Sequence, residues 1–126
     1  FKNAGVTSGV FFTDAMKNQA TFDKFEELDI RVGTVVQAEE FSEARNPAYK
    51  LAIDFGDLGV KNSSAQITDL YEPEDLINTQ IVAITNFEIK RVAGFKSEVL
   101  VLGIYSDEGV VLLRPDGPVQ NGSRAG

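Results

Sequence analysis

Two residue types with wide chemical use are missing from this 126-residue sequence: it has no cysteine and no histidine. That excludes disulfides and the common zinc sites, and it removes histidine-based acid–base and triad chemistry. A chain without cysteine fits a reducing compartment, so a cytoplasmic location is the expectation. Long apolar runs are also lacking. None approaches the roughly 20 residues that span a bilayer, and no membrane insertion is expected. Cations are scarce, with 12 Lys and Arg against 19 Asp and Glu, a net charge of −7. Such a balance argues against wholesale, non-specific nucleic-acid binding, because phosphate affinity comes mainly from Lys and Arg. It leaves room for a local basic patch, since distribution matters more than the sum.

Catalytic signatures are equally thin. There is no P-loop, dinucleotide fingerprint or calcium loop, so no cofactor and no metal are expected. Ser63-Ser64 have no histidine to activate them. The carboxylate pairs Glu26-Glu27, Glu39-Glu40 and Asp107-Glu108 are adjacent in sequence. Neighbours in a strand face opposite ways, so these pairs read as solvated turn or edge charges. The expectation is a protein that binds rather than catalyses.

What is present is an ordinary globular composition, 43% hydrophobic and 25% charged. The length suits one domain, placed at residues 21–122. Phe1–Ala15 reads as an expression-derived or disordered extension, with Met16 a plausible start. It lacks the basic and apolar regions of a secretory signal.

Along the chain, Thr21–Leu28 spaces Phe22, Phe25 and Leu28 as a short helix with an apolar edge, and Thr21 is its expected N-cap. Phe22 and Phe25 must then pack on their own domain or on a second copy. Asp29–Ala38 reads as a strand with Ile30, Val32, Thr34, Val36 and Ala38 on its apolar face, and Gly33 suggests a bulge or sharp bend. Phe41–Pro47 is a polar loop. Tyr49–Phe55 alternates cleanly, and Val60–Thr68 is its unusually polar hairpin partner. Pro73, beside Glu74 and Asp75, marks one or two helical turns. Gln80–Phe87 and Ser97–Tyr105 read as strands flanking a loop over Glu88–Lys96, and Val110–Leu113 is a last strand before a loose tail from Asn121.

About six short strands with one brief helix between the third and fourth indicate a small antiparallel sandwich or barrel. The order matches an all-β, five-stranded Greek-key OB-fold barrel with a short N-terminal helix.

The run Leu28–Val35 followed by Ala38-Glu39 resembles the opening strand of the tRNA-binding domain family. Tyr49–Leu51, Ile53–Gly56, Ser63–Thr68, Ser97–Gly103, Val110–Leu113, Pro115-Asp116 and Asn121-Gly122 are similar to its CsaA-type branch, whose members are export-related chaperones. The resemblance covers about Phe22 to Gly122. It implies an OB-fold homodimer to which the N-terminal helix, with Phe22 and Phe25, and the C-terminal tail contribute. It also implies a surface for tRNA or other structured RNA, binding of unfolded or pre-secretory polypeptides, and contact with the secretion motor ATPase. A dedicated RNA-binding module is the alternative. Glu98 departs from the pattern of tRNA-binding relatives and would place a negative charge beside the RNA-facing surface.

On an OB barrel the second and third strands and adjacent loops converge on one binding face. The expected contacts there are Lys50, Lys61, Asn62, Ser63, Ser64, Asn86, Lys90, Arg91, Lys96 and Ser97, the cations for phosphates and the amides and hydroxyls for base edges or ribose. Phe87 and Phe95 flank them, as base-stacking groups, walls of a peptide pocket, or core.

Overall fold

The computed structural model describes residues 15–126. Of the expected N-terminal extension, residues 1–14 lie outside the described residues. The chain runs α1 (Phe22–Glu26), β1 (Ile30–Glu40), β2 (Tyr49–Asp54), a 3-10 turn (Gly56–Leu58), β3 (Val60–Ala65), α2 (Pro73–Leu76), β4 (Gln80–Ile84), β5 (Lys90–Val92), β6 (Phe95–Ser97), β7 (Leu100–Val101), β8 (Gly103–Ser106) and β9 (Gly109–Leu112). Five strands form one antiparallel sheet in the order β3-β2-β1-β4-β7, and β5-β6 and β8-β9 are separate hairpins. The sheet curls into a nearly closed barrel of the OB type, with α2 between the third and fourth strands as the sequence order implies.

β1 is shared by both halves of the barrel. Its first part pairs with β4, Ile30 opposite Ile84 through Thr34 opposite Gln80. Its second part pairs with β2, Thr34 opposite Asp54 through Glu40 opposite Tyr49. The register slips between Val35 and Gln37, leaving Val36 as a bulge. This corrects the alternation drawn from sequence. Val35, assigned to the far face, is fully buried, whereas Val36 is 46% exposed. The extra residue changes the phase of the strand, so Gly33 and Val35 before it and Ala38 after it all face the core. Gly33 is not the bulge. A Cβ there would lie 2.7 Å from Ile53 Cγ2 and 2.8 Å from the Phe55 ring, so glycine lets the core close over β1.

The core gathers Val35, Leu51, Ile53, Phe55, Leu76, Ile81 and Ala83 inside the barrel. Pro73 opens α2, where the Asp75 carboxylate accepts the Glu72 N–H at 3.1 Å. Thr21 stands at the N-cap of α1, but its hydroxyl makes no capping bond. No residue of α1 is buried, and the rings of Phe22 and Phe25 lie side by side with centroids 5.9 Å apart.

Two stretches differ from their sequence reading for the same reason, the pull of distant backbone partners. Glu88–Lys96, read as loop, contains most of the β5-β6 hairpin. The tail from Asn121, read as loose, is bound to the free edge of β1. Gly122 N–H donates to Val32 O at 2.7 Å, Val32 N–H to Ser123 O at 2.9 Å, and Ala125 N–H to Ile30 O at 2.8 Å. Arg31 Nη1 donates to Gly122 O, and Thr34 Oγ1 to Asn121 Oδ1.

Candidate nucleic-acid interface

β2 and β3 sort the expected binding residues onto two faces, because directly opposed residues share a side. Lys50 opposes Ser64 and Ala52 opposes Asn62 on the outer face. Leu51 opposes Ser63 and Ile53 opposes Lys61 on the inner one. Ser63 is therefore corrected from a surface ligand group to a fully buried one, its hydroxyl donating to Val99 O at 2.9 Å. Lys61 is half-buried on that same inner side, away from Asn62 and Ser64.

The hydroxyl of Ser63 belongs to a seam that closes the barrel. β3 is an edge strand, and residues 97–99 lie along it with side chains doing much of the pairing. Asn62 N–H donates to Glu98 Oε1 at 2.9 Å, and Glu98 N–H donates back to Asn62 O at 2.8 Å. Ser64 N–H donates to Ser97 Oγ at 3.0 Å. The Glu98 carboxylate thus stands where a strand carbonyl would be. Sequence reading set it against an RNA surface; the structure commits one of its oxygens to the backbone of β3.

Lys50 is also bound into the frame. Its Nζ lies 3.8 Å from Glu39 Oε1 and 4.0 Å from Glu43 Oε1, and 5.0 and 5.7 Å from the ring centres of Phe41 and Phe95. Phe41 is buried and meets Phe95 edge-on with centroids 5.4 Å apart. Phe95 consequently anchors the hairpin to the 41–48 loop and is not a free stacking surface. Asn86 has a similar role. Its Oδ1 accepts the Asp29 N–H at 2.9 Å and its Nδ2 donates to Glu27 O at 2.7 Å, which ties the exit of α1 to the end of β4.

What remains open is the hairpin and its neighbour loop. Lys90, Arg91 and Lys96 are all exposed, and Arg91 stands directly opposite Lys96. The turn is made by Ala93 and Gly94, both at positive φ (46° and 84°), the condition for a tight two-residue hairpin turn. Between this hairpin and the 41–48 loop lies a cavity of about 600 Å³. Ser64, Phe87, Lys90, Arg91 and Ser97 line it, as do Arg45, Asn46 and Gln66, which the sequence reading left out. The signal for Arg45 was available, since the loop after the first strand is one of the two that border an OB-fold ligand site.

Beside this geometry stand the similarities to known proteins. Residues 30–124 match the family described as putative tRNA binding domain. The chain belongs to that tRNA-binding domain family. Within it, the structure is similar to the chaperone CsaA of Bacillus anthracis (59% identity, TM-score 0.82, covering 86% of this chain and 100% of that one). It is likewise similar to the CsaA chaperone protein of Picrophilus torridus, at 50% identity with the same TM-score and coverage. Among curated proteins, the methionine–tRNA ligase of Methanococcoides burtonii is 35% identical over 101 residues, 79% of this chain and 15% of the ligase. The ligase of Pyrococcus abyssi is 34% identical over 103 residues, 82% of this chain. The chain spans about 15% of the length of these curated relatives.

Proposed function

We propose that this chain is a non-catalytic binding protein whose ligand is tRNA or another structured RNA, held at the cavity between the 41–48 loop and the β5-β6 hairpin. The observation that carries the reading is the gathering of Arg45, Lys90 and Arg91 around one cavity in a chain of net charge −7. Lys96 extends the patch along the hairpin from its place opposite Arg91, and Ser64 and Ser97 line the cavity beside it. Lys50, Ser63, Asn86 and Phe95 serve by holding that surface in place. Few cations mean a modest, salt-sensitive phosphate contribution. A filter-binding titration with tRNA across a salt series is the test. Saturable binding at low salt that falls steeply with added salt is expected, and no saturable binding even at low salt removes the reading.

A second reading is a chaperone of the CsaA type that binds unfolded or pre-secretory polypeptides in the cytoplasm, with the secretion motor ATPase as a further partner. It is favoured by Leu100 and Tyr105, apolar groups well exposed at the same cavity, and by the likeness to CsaA structures. Here an unfolded preprotein peptide binds and aggregation of a denatured client slows; failure of both ends the reading. In either case the working form is a homodimer.

A further inference from the structure

The C-terminal segment carries a chemistry that the binding site does not use. Of the chain's asparagines, only Asn121 is followed by glycine. Asn-Gly is a labile pair, because no Cβ shields the glycine nitrogen from the neighbouring side-chain amide and the glycine backbone turns freely. Here the fold demands it. A Cβ at position 122 would lie 2.5 Å from Phe55 O, and Gly122 has a φ of 91°, so only glycine fits beneath the turn after β2. Position 121 needs an acceptor, since Asn121 Oδ1 accepts from Thr34 Oγ1 at 2.7 Å and from Gln80 Nε2 at 3.1 Å. Gly56 closes over the same residue, where a Cβ would lie 2.5 Å from Asn121 O.

The docked segment also keeps the pair unreactive. The nitrogen that would have to attack, Gly122 N, donates its proton to Val32 O at 2.7 Å. Bonds on either side hold it there: Val32 N–H to Ser123 O at 2.9 Å, Ala125 N–H to Ile30 O at 2.8 Å, and Arg31 Nη1 to Gly122 O at 3.0 Å. The two bonds to Asn121 Oδ1 fix the side-chain amide as well. Asp116-Gly117, a little upstream, has none of this. Its Gly117 N–H makes no hydrogen bond among the described residues, and a Cβ there would meet nothing within 4 Å.

We propose that Asn121-Gly122 is a masked isoaspartate site, closed while residues 121–125 lie on β1 and open when they leave it. In the released segment Gly122 N gives its proton to water and attacks Asn121 Cγ. The N–Cγ bond forms, the Cγ–Nδ2 bond breaks, and Nδ2 takes up a proton and leaves as ammonia, which gives a five-membered succinimide. Water then opens the ring at one carbonyl or the other, to aspartate or to isoaspartate. Isoaspartate routes the main chain through Cβ, one atom longer than before. Gly122 then no longer meets Val32 in register, and the segment cannot dock again as it was. The release is one-way. It leaves the Ile30 and Val32 backbone groups unpaired on an open strand edge, the kind that pairs with other chains.

The experiment ages the full chain in mildly alkaline buffer beside a synthetic peptide of residues 118–126. Peptide mapping by mass spectrometry follows loss of the Asn121 amide, and enzymatic methylation of the digest counts isoaspartate. The folded protein is expected to react at least about a hundred-fold more slowly than the peptide, as for a segment that is open about one part in a hundred of the time. In urea the same protein should reach the peptide's rate. Thr34→Val removes one bond to Asn121 and should speed the loss about three- to ten-fold, the span of one hydrogen bond, with hydrogen exchange at the Gly122 amide faster by the same factor. Gly56→Ala, which presses on Asn121 O, is a second variant expected to act in the same direction. A folded protein that reacts as fast as the peptide has no mask. A protein that stays slow in urea, or variants that exchange the Gly122 amide faster but lose the Asn121 amide no faster, would show that docking is not what closes the site. Variants that leave both rates unchanged would remove these contacts from the mask. Aged protein whose isoaspartate leaves exchange at the Val32 and Ala125 amides unchanged would overturn the one-way release.

Discussion

Asp29 stands where α1, β1, β4 and the C-terminal segment meet. Its carboxylate accepts from Arg31 Nε at 2.7 Å and from Thr85 Oγ1 at 2.9 Å, and its backbone carbonyl accepts the Thr85 N–H at 2.8 Å. Partial burial pushes its pKa up, but the bonds from Thr85 and Arg31 and the charges of Arg31 and Arg124 outweigh that and hold it below the ordinary carboxylate value. A carboxyl whose folded pKa is depressed stabilises the fold above its unfolded pKa and loses that contribution as pH falls through the folded one. Asp29→Asn is therefore expected to cost on the order of 1–2 kcal/mol at neutral pH, the worth of hydrogen bonds to a charged group. The gap to the parent protein should shrink below about pH 4. Urea midpoints measured from pH 7 to pH 3 decide it, and a gap independent of pH would falsify the ion-pair account. The same scale shows that several of the expected site residues have partners within the fold. Asn86, Ser63 and Lys50 carry the groups a ligand site needs, so sequence reading assigned them to one. A donor or acceptor serves fold and ligand equally well, and which it meets is set by partners far along the chain: Asp29 for Asn86, Val99 for Ser63, Glu39 and Phe95 for Lys50.

Among the elements, the seam between β3 and residues 97–99 is the least regular part of the barrel and the part nearest the proposed ligand. Backbone ladders are cooperative and hard to dissect, but here a side chain can be exchanged without touching the chain trace. Glu98→Ala removes the acceptor of the Asn62 N–H, whereas Glu98→Gln keeps an amide oxygen in its place. The alanine variant is expected to lose about 1–2 kcal/mol of local stability, seen as faster hydrogen exchange at the Asn62 and Ser64 amides, with glutamine close to the parent. Equal exchange in all three proteins would mean that the carboxylate contributes nothing to closure. Strand existence was readable here from alternation and from Gly and Pro punctuation. Strand phase was not. The bulge at Val36 in β1 leaves no mark in the local pattern of apolar residues, because a valine is acceptable on either side until its partner strand is known. For the same reason the apolar run Val99–Leu102 does not itself show which of its residues is buried: Val99 is, and Leu100 is half exposed.

For the whole molecule, α1 is the element without a home. Its Phe22 is 68% exposed and Phe25 also reaches solvent, although a five-residue helix has too few internal bonds to persist on its own. A second copy that covers both rings would account for it. Light scattering at micromolar concentration is expected to give the mass of two chains. The double variant Phe22→Ser, Phe25→Ser should give the mass of one, with the barrel's near-UV signal kept. A monomeric parent protein would remove both the dimer and the role assigned to these phenylalanines. The tail from Asn121 shows the opposite behaviour: its polar, glycine-containing sequence promised nothing, yet its backbone fills the edge of β1 that β2 leaves bare.

By itself the sequence determined the class of fold, the family and the place of the cations on the segment after β4, because periodicity, turn residues and a run of family-like motifs are all local properties. Only the tertiary structure decided which polar groups are spent inside. It also decided that Glu98 serves the barrel and that Arg45 joins Lys90 and Arg91 at one cavity. These are matters of contact between residues distant along the chain, and no local pattern encodes which of several equivalent partners a hydrogen-bonding group will meet.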